Sequence, residues 1–182
     1  MKYFYFHGFG SSPEAKKAKD MIEILGEDNV NVPDFNKSST GVKKLLDDII
    51  NSIKESNEES LIVGSSLGGL YAIYVSAMSN CKCVLLNPCL FPQAIISKIT
   101  KEVNVEDIID AQNLSLTAFK NYNQDNVEVW VTKDDTLINH TDLTKPFFYK
   151  DVAKYIEFDE DKASTHEFIG FKELFKDYIS KK

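Results

Sequence analysis

Short apolar runs alternate along the chain with segments in which apolar residues recur every three or four positions. The first run, residues 3–6, is aromatic and short, which is typical of a buried strand. Ser12-Pro13-Glu14 then predicts the N-terminus of a helix that Gly26 can end. By the same criteria we expect further strands at 29–32, 61–63, 83–86, 127–131 and 152–158.

Amphipathic segments separate these strands. One covers 42–53, a second runs through 71–77, and the last carries Phe168, Phe171, Phe175 and Tyr178 on one stripe. Strand and helix alternation predicts an α/β fold, with about six mostly parallel strands and helices on both faces of the sheet. Residues 91–124 interrupt the alternation and look mostly helical, so they could form a small cap or a plain crossover.

The motif Gly64-Ser65-Ser66-Leu67-Gly68 matches G-x-S-x-G and lies between the strand at 61–63 and a helical segment. That setting is the one required of a nucleophile elbow, where the serine sits on so sharp a turn that residues two positions either side pack together. Centring the motif on Ser65 would lose both glycines, so Ser66 is the predicted nucleophile. A glycine-rich turn with incidental serines is the alternative interpretation.

A serine nucleophile needs two backbone N–H donors for the oxyanion, and losing one typically costs about 10²–10³ in rate. Leu67, directly after the nucleophile, would supply one. The loop His7-Gly8-Phe9-Gly10 follows the first strand, and the N–H of Phe9 is the predicted second donor. His7 could be a catalytic base, but sites of this kind place the base last in the chain, which favours a local bracing role.

Only His140 and His166 follow the nucleophile in the chain. His166 precedes the last predicted helix, from where it can reach back to the serine, so it is the predicted base; we expect His140 to be solvent-exposed. The acid should follow the strand at 127–131. Asp134 is the predicted acid and Asp135 the reserve, the alternative being an ordinary charged turn.

Composition restricts the partners. The 182 residues indicate one domain, 1–182, and 43% hydrophobic residues suffice for a core. A net charge of −7 argues against nucleic acid and anionic membranes as partners. No apolar run approaches a membrane span or a signal peptide, so we expect a cytoplasmic protein. Cys81, Cys83 and Cys89 are expected to be reduced thiols, and no metal or organic cofactor is implied.

Several of these segments together carry a family resemblance. They are Tyr5-Phe6-His7-Gly8-Phe9 with Ser11-Ser12-Pro13, Ile62-Val63-Gly64-Ser65-Ser66-Leu67-Gly68-Gly69-Leu70-Tyr71-Ala72, Leu86-Asn87-Pro88 and His166-Glu167-Phe168-Ile169-Gly170-Phe171. Over nearly its whole length the chain resembles the YqiA-like esterases, compact bacterial α/β-hydrolases. The resemblance implies an α/β-hydrolase fold with little or no cap, Ser66 as nucleophile, His166 as base and Asp134 as acid. The chain departs from the family pattern at Lys133, where a glycine is usual.

The resulting hypothesis is a serine esterase that cleaves small acyl esters through an acyl-enzyme on Ser66. The alternatives are an acyl-CoA thioesterase with the same triad and a catalytically silent binding protein on the same fold. His7, Gly8, Cys89 and Phe91 are expected to contact the substrate, although a buried packing thiol is the other interpretation of Cys89. The sequence leaves the substrate and the oligomeric state open.

Overall fold

A six-stranded parallel sheet forms the centre of the molecule, with the strand order β2-β1-β3-β4-β5-β6. The computed structural model describes residues 1–37, 39–100, 104–148 and 154–182. The strands are β1 (Lys2–Phe6), β2 (Val30–Asn31), β3 (Ser60–Ser65), β4 (Lys82–Leu86), β5 (Val127–Thr132) and β6 (Lys154–Phe158). Each lies where an apolar run predicts it; residues 152 and 153 of the sixth predicted strand lie outside the described residues.

Helices cover both faces of the sheet. They are α1 (Lys16–Leu25), α2 (Ser39–Glu55), α3 (Leu67–Ser79), α4 (Ile96–Ile99), α5 (Val105–Asn121), α6 (His140–Leu143) and α7 (Phe171–Ser180). Buried side chains of α2, α3 and α5 share one core cluster with the sheet, and those of α1 and α7 share another. Within the described ranges, no helix is long and apolar enough to cross a membrane.

The two core clusters explain why the strands read as continuous apolar runs. Successive side chains of a strand point to opposite faces. Ile62 of β3 therefore packs with α2, α3 and α5, whereas Leu61 and Val63 pack with α1 and α7. All three side chains are fully buried, because a parallel sheet covered on both sides has no solvent face.

Two helix boundaries differ from the prediction. Helix α1 begins at Lys16, three residues beyond Pro13, because the Ser12 hydroxyl accepts the Glu14 N–H and closes a separate turn. Helix α7 begins at Phe171, and Phe168 lies in the preceding turn with φ 57°. Phe168 is nevertheless buried in the core that α7 covers, so the apolar stripe continues past the helix end.

The segment 91–124 is largely helical, as expected, although residues 101–103 lie outside the described part. Helix α5 packs on α3 through the buried Leu114 and Ala118. The Ser115 hydroxyl ties α5 to the carbonyl of Leu90 at 2.6 Å. The helix is thus part of the sheet cover, and any role as a cap remains a prediction.

Candidate active site

Ser66 occupies the turn between β3 and α3 in a strained backbone conformation, with φ 54° and ψ −121°. Non-glycine residues rarely adopt positive φ, and such strain is typical of functional sites. The flanking glycines make the turn possible: a Cβ on Gly64 would overlap the carbonyl of Gly68, and one on Gly68 would overlap the carbonyl of Phe6. The turn therefore has the geometry that the motif predicts.

The Ser66 hydroxyl is the end of a hydrogen-bonded chain of side chains. His166 Nε2 lies 2.9 Å from Ser66 Oγ, across 100 residues of sequence. His166 Nδ1 lies 2.8 Å from Asp135 Oδ2. A carboxylate only accepts hydrogen bonds, so Nδ1 carries the proton and Nε2 can accept from the serine. This order of contacts is the one that a nucleophile, a base and an orienting acid would require.

The structure corrects the prediction for the acid. Asp134 does not face His166: both of its carboxylate oxygens accept the backbone N–H of Thr165, at 2.9 and 3.0 Å. The turn after β5 directs the next residue inward instead, and the Asp135 side chain is only 1% exposed. The reserve candidate, Asp135, therefore holds the position expected of Asp134.

Asp135 is surrounded by donors. Its Oδ1 accepts the backbone N–H groups of Leu137 and Ile138, at 2.9 and 3.0 Å. Burial on its own raises the pKa of this carboxyl, but hydrogen bonds from His140 and His166 outweigh burial and hold the pKa well below its usual range. Asp135 is therefore an anion at neutral pH.

His140 is not the solvent-exposed histidine that the sequence suggested. Its side chain is 6% exposed, and its Nε2 lies 2.8 Å from Asp135 Oδ2. His140 is the first residue of the short helix α6, so the position of its ring depends on where that helix starts. Spacing alone did not reveal this, because the deciding turn follows the strand by several residues.

Asn87 holds the loop that carries His166. Its side-chain amide nitrogen contacts Thr132 Oγ1 at 3.0 Å, the Thr165 carbonyl at 2.9 Å and the His166 carbonyl at 3.2 Å. Its Oδ1 accepts the Thr132 N–H at 2.8 Å, and the residue is fully buried. No role for Asn87 was predicted, although the Asn87-Pro88 pair directly after β4 was a visible signal.

The loop after β1 lies against the serine. An added Cβ on Gly8 would be 3.1 Å from Ser66 Cβ and 3.7 Å from Ser66 Oγ. His7 braces this loop: its Nδ1 lies 3.0 Å from the Gly8 carbonyl, and its Nε2 accepts the Phe35 N–H at 3.1 Å. Leu67 begins α3, and the first N–H groups of a helix lack intrahelical partners. Leu67 directly follows Ser66, and Phe9 directly follows Gly8, so the role of their N–H groups as oxyanion donors stays a prediction.

A cavity of about 1060 Å³ opens beside these loops, between α2 and α5. Its walls include His7, Gly8, Phe9 and Leu67, together with apolar side chains such as Phe35, Val42, Tyr71 and Leu114. Two predicted substrate contacts do not line it. Cys89 is buried against Ile95 and Ile138, and the ring of Phe91 stacks on Phe119 with centroids 5.6 Å apart. Both side chains pack against other residues of the protein and do not face the cavity.

A parallel sheet in the order β2-β1-β3-β4-β5-β6, with a strained serine after β3 and a histidine loop after β6, defines an α/β-hydrolase fold. This confirms the expected fold class, and solved structures of that class superpose on nearly the whole chain. A model of the Uncharacterised protein family (UPF0227) matches residues 2–182, and the chain belongs to this family. The expected likeness to the YqiA-like group is thereby confirmed.

Relatives and structural neighbours span similar lengths. A UPF0227 protein of Pectobacterium atrosepticum is 27% identical over 169 residues, covering 90% of this chain and 89% of the relative. YcfP of Escherichia coli is 25% identical over 173 residues, with the same coverage of 90% and 89%. Est1E from Butyrivibrio proteoclasticus superposes with a TM-score of 0.72 at 16% identity, covering 98% of this chain and 85% of Est1E. For the Pyrococcus furiosus esterase Pf2001 the TM-score is 0.65 at 19% identity, with coverage of 99% and 81%.

Proposed function

We propose that the protein is a serine carboxylesterase that cleaves small acyl esters through an acyl-enzyme on Ser66. The observation that carries the proposal is the contact chain from Ser66 Oγ through His166 to Asp135, with donor–acceptor distances of 2.9 and 2.8 Å. These distances are within the range that a general base needs to take a proton from a nucleophile.

In the first step His166 Nε2 takes the hydroxyl proton as Ser66 Oγ attacks the acyl carbonyl carbon. The carbonyl oxygen becomes an oxyanion that accepts hydrogen bonds from the backbone N–H groups of Leu67 and Phe9. The C–O bond to the leaving alcohol then breaks, and the proton on His166 passes to that alcohol. Asp135 stabilises the imidazolium throughout and stays ionised.

In the second step a water molecule attacks the acyl-enzyme. His166 takes a proton from the water, a second oxyanion forms, and the proton returns to Ser66 Oγ as the carboxylic acid leaves. General base catalysis of this kind is worth about 10²–10⁴ in rate, and each oxyanion donor a similar factor. The backbone N–H of Leu67 is preorganised because the turn that holds the nucleophile also starts α3.

The apolar lining of the cavity beside the loops supports a substrate with an apolar acyl group. The lining includes Gly8, which lies against Ser66, and the buried apolar side chains of Phe35, Tyr71 and Leu114. Solved structures of the same fold include the Pyrococcus furiosus esterase Pf2001 and the lipolytic enzymes LipS and LipT, and Est1E has been solved with ferulic acid bound. These likenesses support the reaction class rather than a particular substrate.

The test is hydrolysis of p-nitrophenyl esters of increasing acyl length by wild type and by Ser66→Ala. We expect the substitution to lower kcat at least about 10⁴-fold, because the nucleophile is lost, with the fold unchanged. Ser65→Ala is the matched control and should keep most activity. Activity of Ser66→Ala near that of wild type would refute the proposal.

Labelling with a fluorophosphonate separates a hydrolase from a silent binding protein. Wild type should be labelled and Ser66→Ala should not. Matched ester and thioester substrates, tested side by side, then decide between carboxylesterase and thioesterase, which the same triad could serve. A wild-type protein that neither reacts with the reagent nor cleaves any substrate would overturn the enzyme assignment.

A further inference from the structure

Two histidines contact the same oxygen of Asp135. His140 Nε2 and His166 Nδ1 each lie 2.8 Å from Oδ2. Because a carboxylate cannot donate, both rings must present an N–H to it. On its other side, His140 Nδ1 lies 2.8 Å from the hydroxyl of the fully buried Thr144. The Thr144 hydroxyl can donate to Nδ1, so a neutral His140 finds a suitable partner at each nitrogen.

We propose that His140 is a positioning residue that acts on the proposed triad through Asp135, an inference that rests on the proposed esterase function. The Nε2–H of His140 fixes the Asp135 carboxylate in the orientation that His166 needs. The same hydrogen bond stabilises part of the negative charge on Oδ2. The order of contacts is Thr144, His140, Asp135, His166 and Ser66.

The surroundings of Asp135 explain why a second imidazole matters there. Two backbone N–H groups hold Oδ1, and two rings hold Oδ2. The side chain is 1% exposed, so water cannot replace a missing donor easily. Without His140 the charge on Oδ2 would be directed at His166 alone, and one restraint on the rotation of the carboxylate would be lost.

Packing alone does not account for a histidine at this position. A buried polar ring costs free energy unless its nitrogens are paired, whereas an apolar side chain would fill the same space without that cost. Both nitrogens of His140 are paired with side chains, Nδ1 with Thr144 and Nε2 with Asp135. The polar contacts are therefore the property that distinguishes histidine here.

Charged groups around His140 already have partners of their own. A cleft of about 390 Å³ beside His140 and Asp135 is also lined by Lys98, Lys133 and Glu157. Lys133 pairs with Asp159, Glu157 pairs with Lys145, and the Lys98 ammonium lies 3.5 Å from the Leu137 carbonyl. In the loop after β4, burial and then the charge of Asp135 raise the pKa of the Cys89 thiol to about 12, so this thiol is neutral beside the acid. The two imidazoles are the closest titratable partners of the acid.

The first test is the imidazole NMR spectrum of the wild-type protein, which contains three histidines. We expect His140 to carry its proton on Nε2 with Nδ1 bare, and a low-field proton from each of His140 and His166. His140→Phe removes one donor and should move the remaining His166 Nδ1 proton further downfield. His140→Gln can place an amide N–H where Nε2 was, and should keep the wild-type position of that signal.

The second test is the pH dependence of kcat/KM. In His140→Phe the low-pH limb of the profile should move to higher pH by about one unit. The reason is that Asp135, with one donor removed, attracts the protonated form of His166 more strongly. One pH unit corresponds to about the free energy of one hydrogen bond to a charged group. The loss should therefore be large at low pH and small at high pH. His140→Gln should return the limb toward the wild-type position.

A purely structural role would give different results. An equal loss of kcat/KM at every pH, or an unchanged His166 signal in His140→Phe, would overturn the proposal. If that variant does not fold, a wild-type spectrum with His140 protonated on Nδ1 and bare at Nε2 would overturn it equally. Failure of the esterase proposal is separate: the NMR signals can respond as expected in a protein that hydrolyses nothing.

Discussion

Two adjacent aspartates, Asp134 and Asp135, serve different partners. Asp134 accepts a hydrogen bond from the backbone N–H of Thr165, in the loop that precedes His166. Asp135 accepts a hydrogen bond from the His166 imidazole. The sequence places an acid after β5 but cannot separate the two, because the direction of each side chain depends on the exact turn taken. Lys133 adds to the difficulty, since it stands where a glycine is usual in the resembling family.

Replacing each aspartate by asparagine tests which one is the acid of the proposed triad. We expect Asp135→Asn to lower kcat by about 10³–10⁴, because the amide no longer stabilises the imidazolium or its tautomer. Asp134→Asn keeps an acceptor for the Thr165 N–H and should cost less than about tenfold. Steady-state kinetics on one p-nitrophenyl ester measure both, and the reverse order of effects would return the role to Asp134.

Among the elements, the strands and the turn after β3 were predictable, and the contacts between loops were not. Apolar runs and the glycines around Ser66 carry local signals, since burial on two faces and a close backbone approach each demand particular residue types. Thr132, Asn87 and Thr165 meet only because β4, β5 and the His166 loop end at the same edge of the sheet. Pairings that depend on strand order leave no periodic pattern in the sequence.

Asn87 offers a test of these contacts. Asn87→Asp conserves the shape of the side chain but places an oxygen against Thr132 Oγ1 and the carbonyls of Thr165 and His166. We expect a loss of about 2–4 kcal/mol in the free energy of unfolding, since a buried donor that held several acceptors is gone. Denaturant unfolding measures this loss.

Activity should fall in the same variant, because the loop that carries His166 is no longer fixed. Asn36→Asp is the control: its amide also donates to a carbonyl, that of Ser11, but at an exposed site. It should change the unfolding free energy by no more than about 0.5 kcal/mol. Equal effects of the two substitutions would mean that the Asn87 contacts do not stabilise the fold.

Over the whole molecule, two core clusters on opposite faces of the sheet match the predicted α/β arrangement. The cavity between α2 and α5 was not predictable, because its walls come from side chains far apart in sequence, such as Phe9, Val42 and Leu114. Periodicity shows which side of a helix is buried, but not where two helices leave a space between them.

The low pKa of Asp135 makes the stability of the whole fold depend on pH. The group is more acidic folded than unfolded, so its contribution is complete above the unfolded pKa near 4 and is lost as pH falls toward the lower folded pKa. We expect the free energy of unfolding to fall by about 1–3 kcal/mol from this group between pH 5 and pH 2. Urea titrations at a series of pH values measure the slope.

Asp135→Asn should flatten that slope, because an amide does not titrate. Ser66→Ala is the control, since it leaves Asp135 and its donors in place and should keep the wild-type slope. An Asp135→Asn protein with the full wild-type dependence would assign the acid sensitivity to other carboxylates.

The backbone strain at Ser66 has a practical consequence. An isolated peptide would not hold a serine at that angle, and its imidazole partner comes from the other end of the chain. The proposed reactivity of Ser66 toward an active-site reagent therefore requires the assembled molecule, and no fragment of it should react. Covalent labelling could therefore measure the fraction of native molecules during refolding. Each chain that has reached the native structure would carry one label on Ser66.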